Sequence, residues 1–232
     1  MVNDDGAPWC YLDRQLTGYT NPLLAKSTKL TNGQGFESTL TLKTTAHKLT
    51  PTFKQLPSLK LTVSPLNEHI LRIRLTDPAA KRYEVPVQSV FNIPSATNWA
   101  RENRAYDVSL SGGDFHLKVS RRGSGSNGST TLLDTSIGGL VYSDQFIHFA
   151  TYLASPDVYG FGENYHLSFR RETNYTTLPI FARDHLVGDL DSHYYGHHPV
   201  VQIVERDGKA HGLFLLNSNA MGKWWWWLFS VD

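Results

Sequence analysis

The sequence predicts an all-β protein, a β-sandwich formed by most of the chain. From about residue 36 onward, short runs of apolar residues alternate with polar ones, which is the two-residue period of a half-buried strand. Proline, glycine, asparagine and aspartate separate these runs, and no segment has the pattern of a long amphipathic helix. Many short strands at short spacing are typical of a sandwich or a barrel.

The segment LRIRL shows the alternation well, because Leu71, Ile73 and Leu75 share one face of an extended chain. The same alternation predicts four further strands, at Leu40 and Leu42, at Tyr106, Val108 and Leu110, at Phe115, Leu117 and Val119, and at Ile147, Phe149, Thr151 and Leu153. Continuous apolar runs at 200–204 and 212–216 predict two inner strands that are covered on both faces. Asp207-Gly208 between them predicts a hairpin turn.

Composition excludes several classes of function. The 232 residues carry 22 Lys and Arg against 21 Asp and Glu, so the net charge of +1 provides no field that would attract nucleic acid or anionic lipid. No apolar run reaches the ~18 residues of a membrane span. The single cysteine, Cys10, allows neither an internal disulfide nor a cysteine-based metal site.

Motifs for self-contained catalysis are weak. His193, His197 and His198 fall in one short segment, but neighbouring histidines of an extended chain face opposite sides, so packing is favoured over a metal site. Neither a metal nor another cofactor is therefore predicted. Asp184, Asp189 and Asp191 share one loop, and a single loop rarely supplies both carboxylates of a glycosidase, although one of them could orient a sugar hydroxyl.

Six segments together resemble one known family. They are DPAAKRYEVP at 77–86, DTSIGGLVYSDQFIHFATYLAS at 134–155, YGFGEN at 159–164, PIFARD at 179–184, YYGHHPV at 194–200 and GKAHGLFLLNSNAM at 208–221. In this order they resemble the N-terminal β-sandwich region of glycoside hydrolase family 31, and within it the animal α-glucosidases. The resemblance spans roughly residues 8 to 221.

The resemblance implies a galactose-mutarotase-like β-sandwich over residues 15–221. Residues 1–14 would be the remnant of a P-type trefoil domain. Residues 222–232, which contain four adjacent tryptophans, would form an atypical tail. The family's nucleophile and acid belong to a (β/α)8 barrel and a W-x-D-M-N-E-like motif that this sequence does not contain. We therefore expect a truncated, non-catalytic domain with no catalytic residue of its own.

The resemblance also assigns a binding site. In the family, the loop with an Arg-Asp pair extends over the mouth of the barrel, so Asp184 would contact the sugar, Arg183 would flank it and Tyr195 would line the same rim. An alternative from a different class is a sugar mutarotase that uses Glu163 and His166. A third reading is a fragment with no independent function.

Partners and location follow from the family. The parent enzyme would act on α-linked glucose in maltose, starch or glycogen oligosaccharides and would be lysosomal, secreted or located at the brush border. The first residues, MVNDDGAPWC, do not have the pattern of a signal peptide. The sequons at Asn127 and Asn174 predict glycosylation of a parent in the secretory pathway.

Overall fold

The computed structural model describes residues 18–21, 28–29, 35–45, 54–86, 103–123, 128–144, 146–172, 177–190, 194–224 and 228–231. Within these ranges the regular structure consists of β-strands, apart from short 3₁₀ turns such as Thr135–Ile137. The strands form four sheets, and their pairings are antiparallel. The predicted all-β class is confirmed.

Two of the sheets face each other across the larger core. Sheet I has the order β5-β4-β3-β1-β7, and its strands are β1 (Tyr19–Asn21), β3 (Phe36–Leu42), β4 (Ser58–Pro65), β5 (Leu71–Thr76) and β7 (Gly113–Asp114). Sheet II has the order β2-β6-β8-β9, and its strands are β2 (Thr28–Lys29), β6 (Tyr106–Leu110), β8 (Leu117–Arg121) and β9 (Thr130–Asp134).

The other two sheets carry the segments of the candidate site. Sheet III has the order β12-β14-β15, formed by β12 (Val158–Gly160), β14 (Val200–Val204) and β15 (Ala210–Phe214). Sheet IV has the order β10-β11-β17-β16-β13, and its strands are β10 (Val141–Tyr142), β11 (Ile147–Ala150), β13 (Thr177–Ile180), β16 (Met221–Trp224) and β17 (Leu228–Val231).

The core between sheets I and II is built from the alternating residues that the sequence predicts. Leu40 and Leu61 of sheet I and Leu110 and Leu117 of sheet II are each at most 1% exposed and belong to one cluster. Each such side chain contributes about 1.5–3 kcal/mol through burial, so the cluster is the main source of stability in this half of the molecule. The predicted strands around Leu40, Leu110 and Leu117 are confirmed, and β4, which contains Leu61, is a further strand that the sequence analysis does not predict.

A second, smaller cluster fills the space between sheets III and IV. It contains Val158, Phe161, Ile180, Val201, Ile203 and Met221, all of which are buried. Ile147, Phe149 and Leu213 are partly buried and pack against both clusters. The two cores are therefore continuous. The smaller core lies next to the loops that follow β12 and β13 and to the segment that precedes β14.

The prediction of two inner strands covered on both faces is wrong. In β14 the residues alternate between exposed and buried, and Val200 is 42% exposed although Val201 is 1% exposed. In its partner β15, exposed residues alternate with half-buried ones, and Phe214, opposite Val200, is 47% exposed. Apolar side chains on the outer face made the run look continuous in the sequence. The predicted hairpin at Asp207-Gly208 is confirmed by the pairing of β14 with β15.

A buried charged cluster joins sheet II to this hairpin. The Arg121 guanidinium donates hydrogen bonds to both carboxylate oxygens of Glu205, with Nε at 3.1 and 3.0 Å and Nη2 at 2.5 Å. His211 Nδ1 lies 3.1 Å from the same carboxylate, and Arg121 Nη2 also donates to the Ala210 carbonyl at 2.8 Å. Burial alone would raise the pKa of Glu205, but the hydrogen bonds from Arg121 and His211 outweigh burial and lower it.

The chain after Met221 continues the β-structure. The backbone of β16 pairs with β13 and with β17, and β17 pairs with β11, so residues 221–224 and 228–231 add two strands to sheet IV. The proposed domain boundary at residue 221 stays a prediction. The proposed trefoil remnant, including Cys10, lies outside the described residues.

Candidate functional site

The YGFGEN segment is a tight bend at the end of β12. Gly160 has φ +108, and a Cβ at this position would lie 2.3 Å from the Val200 carbonyl oxygen, so only glycine fits. The bend turns Phe161 completely into the smaller core, with its N–H donating to Val200 O at 2.9 Å. The buried Phe161 thereby anchors the polar residues that follow it.

Glu163 joins this bend to the segment before β14. Its carboxylate Oε2 accepts the Gly196 N–H at 2.9 Å. Its backbone N–H donates to Gly196 O at 3.2 Å, and its backbone carbonyl accepts the Tyr194 N–H at 3.1 Å. Three hydrogen bonds therefore fix residues 194–196 beside Glu163.

The loop of residues 181–190, which we call the rim loop, is built around Tyr194. The Arg183 N–H donates to Tyr194 O at 2.9 Å. The Tyr194 hydroxyl donates to Asp189 O at 2.9 Å and accepts the Gly188 N–H at 3.0 Å. Tyr194 is 5% exposed, whereas the side chains of the rim loop around it are mostly exposed.

The two described aspartates of the rim loop differ in their partners. Asp189 Oδ2 lies 2.7 Å from His185 Nε2 and is engaged in that pair. Asp184 is exposed, and no residue of the described part of the chain forms a hydrogen bond or an ion pair with its carboxylate. Within the described part of the chain, the carboxylate of Asp184 thus differs from that of Asp189 in having no partner. Asp191 lies outside the described residues.

Arg183 and Tyr195 flank Asp184 in different ways. The Arg183 guanidinium carbon lies 6.0 Å from the centroid of the Phe181 ring, a cation–π contact on the surface. Tyr195 is 62% exposed and follows the buried Tyr194 directly. The structure therefore brings Arg183 and Asp184 onto one loop and Tyr195 onto the adjacent segment. Their contact with a substrate stays a prediction.

The residues of the alternative hypotheses lie nearby. The Glu163 carboxylate is engaged with the Gly196 N–H, and His166 is half-buried and also has an interaction partner. His198 donates its backbone N–H to Gly162 O at 2.6 Å, and His197 is half-buried. Among the residues that the structure describes, no group of His, Cys, Asp and Glu could hold a metal ion.

Besides Asp191, three candidate residues of the sequence analysis lie outside the described ranges. They are His193 and the two predicted glycosylation sites, Asn127 and Asn174. The two asparagines stay predictions.

Sequence reasoning missed Tyr194. The dipeptide Tyr194-Tyr195 carries a usable signal, because adjacent residues of an extended chain face opposite sides and one ring of such a pair is expected to be buried. Which ring is buried depends on the rim loop folding over the segment, and that contact is not local in sequence.

A set of exposed apolar side chains, which we call the apolar crest, lies partly on the rim loop and partly on the loop of residues 161–172. Four of its side chains are almost completely exposed, namely Leu167 at 85%, Phe169 at 93%, Leu186 at 81% and Val187 at 77%. They belong to two loops that are joined by a β-bridge between Tyr165 and Leu190. Exposed apolar side chains that form a contiguous patch usually mark a contact surface, whereas single ones are ordinary.

No protein-family model matches the chain, but named relatives do. Human intestinal sucrase-isomaltase is 37% identical over 216 residues, which cover 93% of this chain and 11% of the relative. Bovine lysosomal α-glucosidase is 33% identical over 219 residues, which cover 93% of this chain and 21% of the relative. Human probable maltase-glucoamylase 2 is 40% identical over 152 residues, which cover 66% of this chain and 6% of the relative.

Solved structures show the same fold at low sequence identity. A Flavobacterium johnsoniae GH31 dextranase in complex with glucose superposes with a TM-score of 0.54 at 10% identity, covering 92% of this chain and 25% of the dextranase. The heterodimeric ER glucosidase II complex superposes with a TM-score of 0.56 at 12% identity, covering 90% of this chain and 29% of the matched chain.

The fold is therefore that of an all-β sandwich domain in family 31 glycoside hydrolase structures. The relatives make the assignment narrower, since the chain is homologous to a segment of the family 31 α-glucosidases. It spans about a tenth of sucrase-isomaltase and a fifth of lysosomal α-glucosidase. In the described part of the chain, no helix is long and apolar enough to cross a membrane.

Proposed function

We propose that the chain serves as the non-catalytic β-sandwich domain of an α-glucosidase and contributes a loop that contacts the substrate. The parent enzyme would hydrolyse α-linked glucose from maltose, starch or glycogen oligosaccharides. Homology to α-glucosidases supports the class of enzyme. The observation that carries the role of the loop is the exposed carboxylate of Asp184, which has no partner among the described residues, beside the paired Asp189.

Asp184 is proposed to accept hydrogen bonds from sugar hydroxyls. A carboxylate forms short, directional, charge-assisted hydrogen bonds with hydroxyl donors, and such bonds discriminate between sugars that differ in a single hydroxyl. Arg183 is proposed to flank the sugar, and Tyr195 exposes a ring that can lie against it. None of the three acts as acid or nucleophile in this proposal.

The partner of the domain is proposed to be the catalytic (β/α)8 barrel of the parent, which would supply the acid and the nucleophile. The apolar crest of Leu167, Phe169, Leu186 and Val187 supports this partner, because Leu186 and Val187 share the rim loop with Asp184 and covering the crest would bury four large side chains. A barrel seated on the crest would also complete the wall of the sugar site around the rim loop.

The experiment that tests this proposal is a chimera in which residues 15–221 replace the homologous segment of a lysosomal α-glucosidase. We expect Asp184→Ala to lower kcat/KM for maltose by about 10- to 100-fold, as loss of a charged hydrogen bond does. Asp144→Ala is the matched control, because this aspartate is exposed and pairs with Arg82 away from the rim loop. Equal kinetics of the Asp184→Ala and Asp144→Ala chimeras would remove Asp184 from the site.

The chain alone is expected to bind maltose weakly or not at all. One or two hydrogen bonds exchanged against water provide only about 1–3 kcal/mol, and millimolar affinity requires about 4 kcal/mol. Titration calorimetry checks this expectation. Binding at micromolar maltose would show that the domain contains a complete site without the barrel.

Polarimetry separates the proposal from a sugar mutarotase. The Glu163 carboxylate already accepts the Gly196 N–H, which argues for a role in holding the loop rather than as a free base. We therefore expect the chain not to accelerate the mutarotation of fresh α-glucose. Acceleration that is lost in Glu163→Gln would favour the mutarotase instead.

A further inference from the structure

We infer that Tyr194 is the positioning residue for Asp184, a role that neither the sequence pattern nor the exposed surface indicates. The inference rests on the proposed function of Asp184 and adds to it the part of the structure that fixes this carboxylate. Tyr194 is 5% exposed in a region where most side chains point to solvent, so the rim loop is folded around its ring.

The residues on both sides of Asp184 are attached to Tyr194. On one side, the Arg183 N–H donates to the Tyr194 carbonyl at 2.9 Å. On the other side, the His185 ring lies nearly parallel to the Tyr194 ring, with 6.5 Å between centroids and 23° between planes. Because one residue holds both neighbours, the backbone of Asp184 has little freedom to move without breaking one of these contacts.

The Tyr194 hydroxyl closes the far end of the loop. It donates to Asp189 O at 2.9 Å and accepts the Gly188 N–H at 3.0 Å. Asp189 in turn lies 2.7 Å from His185 Nε2, so the far end of the loop is connected back to the residue beside Asp184. The Tyr194 hydroxyl is therefore hydrogen-bonded to two residues at the far end of the rim loop, and the Asp189–His185 pair connects that end to the residue next to Asp184.

Tyr194 is itself fixed to the rigid part of the molecule. Its N–H donates to Glu163 O at 3.1 Å, and Glu163 also holds Gly196 through its carboxylate at 2.9 Å. Glu163 follows the buried Phe161, which belongs to the smaller core. A continuous series of contacts thus runs from the core through Glu163 and Tyr194 to Asp184. Functional groups held in this way lose less freedom on binding, which favours affinity.

Tyr194→Phe removes only the hydroxyl and retains the ring and the backbone contacts. In the full 232-residue chain, we expect faster hydrogen exchange of the amides of residues 183–190 in this variant, because the loop opens more often. Tyr83→Phe is the matched control, since Tyr83 is 75% exposed and lies outside the rim loop. Equal exchange in the two variants would overturn the inference.

The functional test is a double-mutant cycle in the chimera with the α-glucosidase barrel. We expect Tyr194→Phe to lower kcat/KM for maltose about 5- to 10-fold, from the loss of two neutral hydrogen bonds. In the Asp184→Ala background the same substitution should change kcat/KM less than about twofold, because a residue that acts through Asp184 has nothing left to position.

The outcomes separate the inference from the proposal on which it rests. If Asp184→Ala leaves the kinetics unchanged, the proposed function fails and the inference fails with it. If Asp184→Ala lowers kcat/KM but Tyr194→Phe has no effect, or has the same effect in both backgrounds, only the inference is overturned. A purely structural role of Tyr194 would lower kcat/KM by the same factor in both backgrounds.

Discussion

The cluster of Arg121, Glu205 and His211 allows a direct test of how sheet II holds the β14–β15 hairpin. The Glu205 side chain is 0% exposed and Arg121 is 20% exposed, so removing one charge leaves the other largely buried without its partner. Such a loss costs about 3–5 kcal/mol in unfolding free energy, and the partial exposure of Arg121 places Glu205→Leu near the lower value, about 3 kcal/mol. Urea unfolding followed by circular dichroism measures this loss as a lower midpoint at constant slope.

The double variant Arg121→Met/Glu205→Leu provides the decisive comparison. It removes both charges and leaves mainly the His211 Nδ1–H without its acceptor, a loss of about 1–2 kcal/mol. The double variant should therefore be more stable than either single variant, with a coupling energy of at least about 2 kcal/mol. Additive single losses, or a loss below about 1 kcal/mol for Glu205→Leu, would refute the reasoning.

Two further predictions concern the buried His148 and the bend at Gly160. His148 is almost completely buried, and burial lowers its pKa to about 4 against the hydrogen bond with the Gly139 carbonyl, which favours the charged form. As the pH falls below about 6.5, His148 of the unfolded chain binds a proton, whereas the folded chain does not protonate His148 until about pH 4. Between these two pH values, the free energy of unfolding should therefore fall by up to about 3 kcal/mol. Urea midpoints at both ends of the window check it, and His148→Gln should show a smaller fall than the unchanged chain. Gly160→Ala should cost at least about 2 kcal/mol in thermal or urea unfolding, since the new Cβ would meet Val200 O at 2.3 Å with φ at +108. Gly208→Ala is the control, because Gly208 has φ +84 and no atom within 4 Å of the new Cβ, so this variant loses stability only through its backbone conformation. An equal loss of unfolding free energy in both variants would contradict the predicted clash with Val200 O.

The strands were predictable because the signal for a half-buried strand is local. Leu40, Val108 and Leu110 lie in runs whose period of two indicates which side faces the core. The Asp207-Gly208 turn was predictable for the same reason, since turn chemistry depends on two adjacent residues. The prediction that the strands at 200–204 and 212–216 are covered on both faces shows the limit of this signal. Apolar residues on an exposed face look the same in sequence as buried ones.

The candidate site was only partly predictable. Resemblance to a family points to the Arg-Asp pair at 183–184, and the structure adds that Asp189 pairs with His185 while Asp184 has no partner among the described residues. The sequence offers Glu163 as the base of a mutarotase, whereas its carboxylate accepts a hydrogen bond from the Gly196 N–H. These distinctions depend on which polar groups meet, and many such partners are distant in sequence.

The sequence by itself determined the class of fold and the family, because residue periodicity and local motifs are properties of neighbouring residues. Only the tertiary structure decided that Tyr194 is buried beneath the rim loop and that Tyr195 is exposed. It also decided that Arg121 and Glu205, 84 residues apart, form one buried cluster. Both results depend on contacts between residues that are not neighbours in the sequence. A local residue pattern therefore does not predict them.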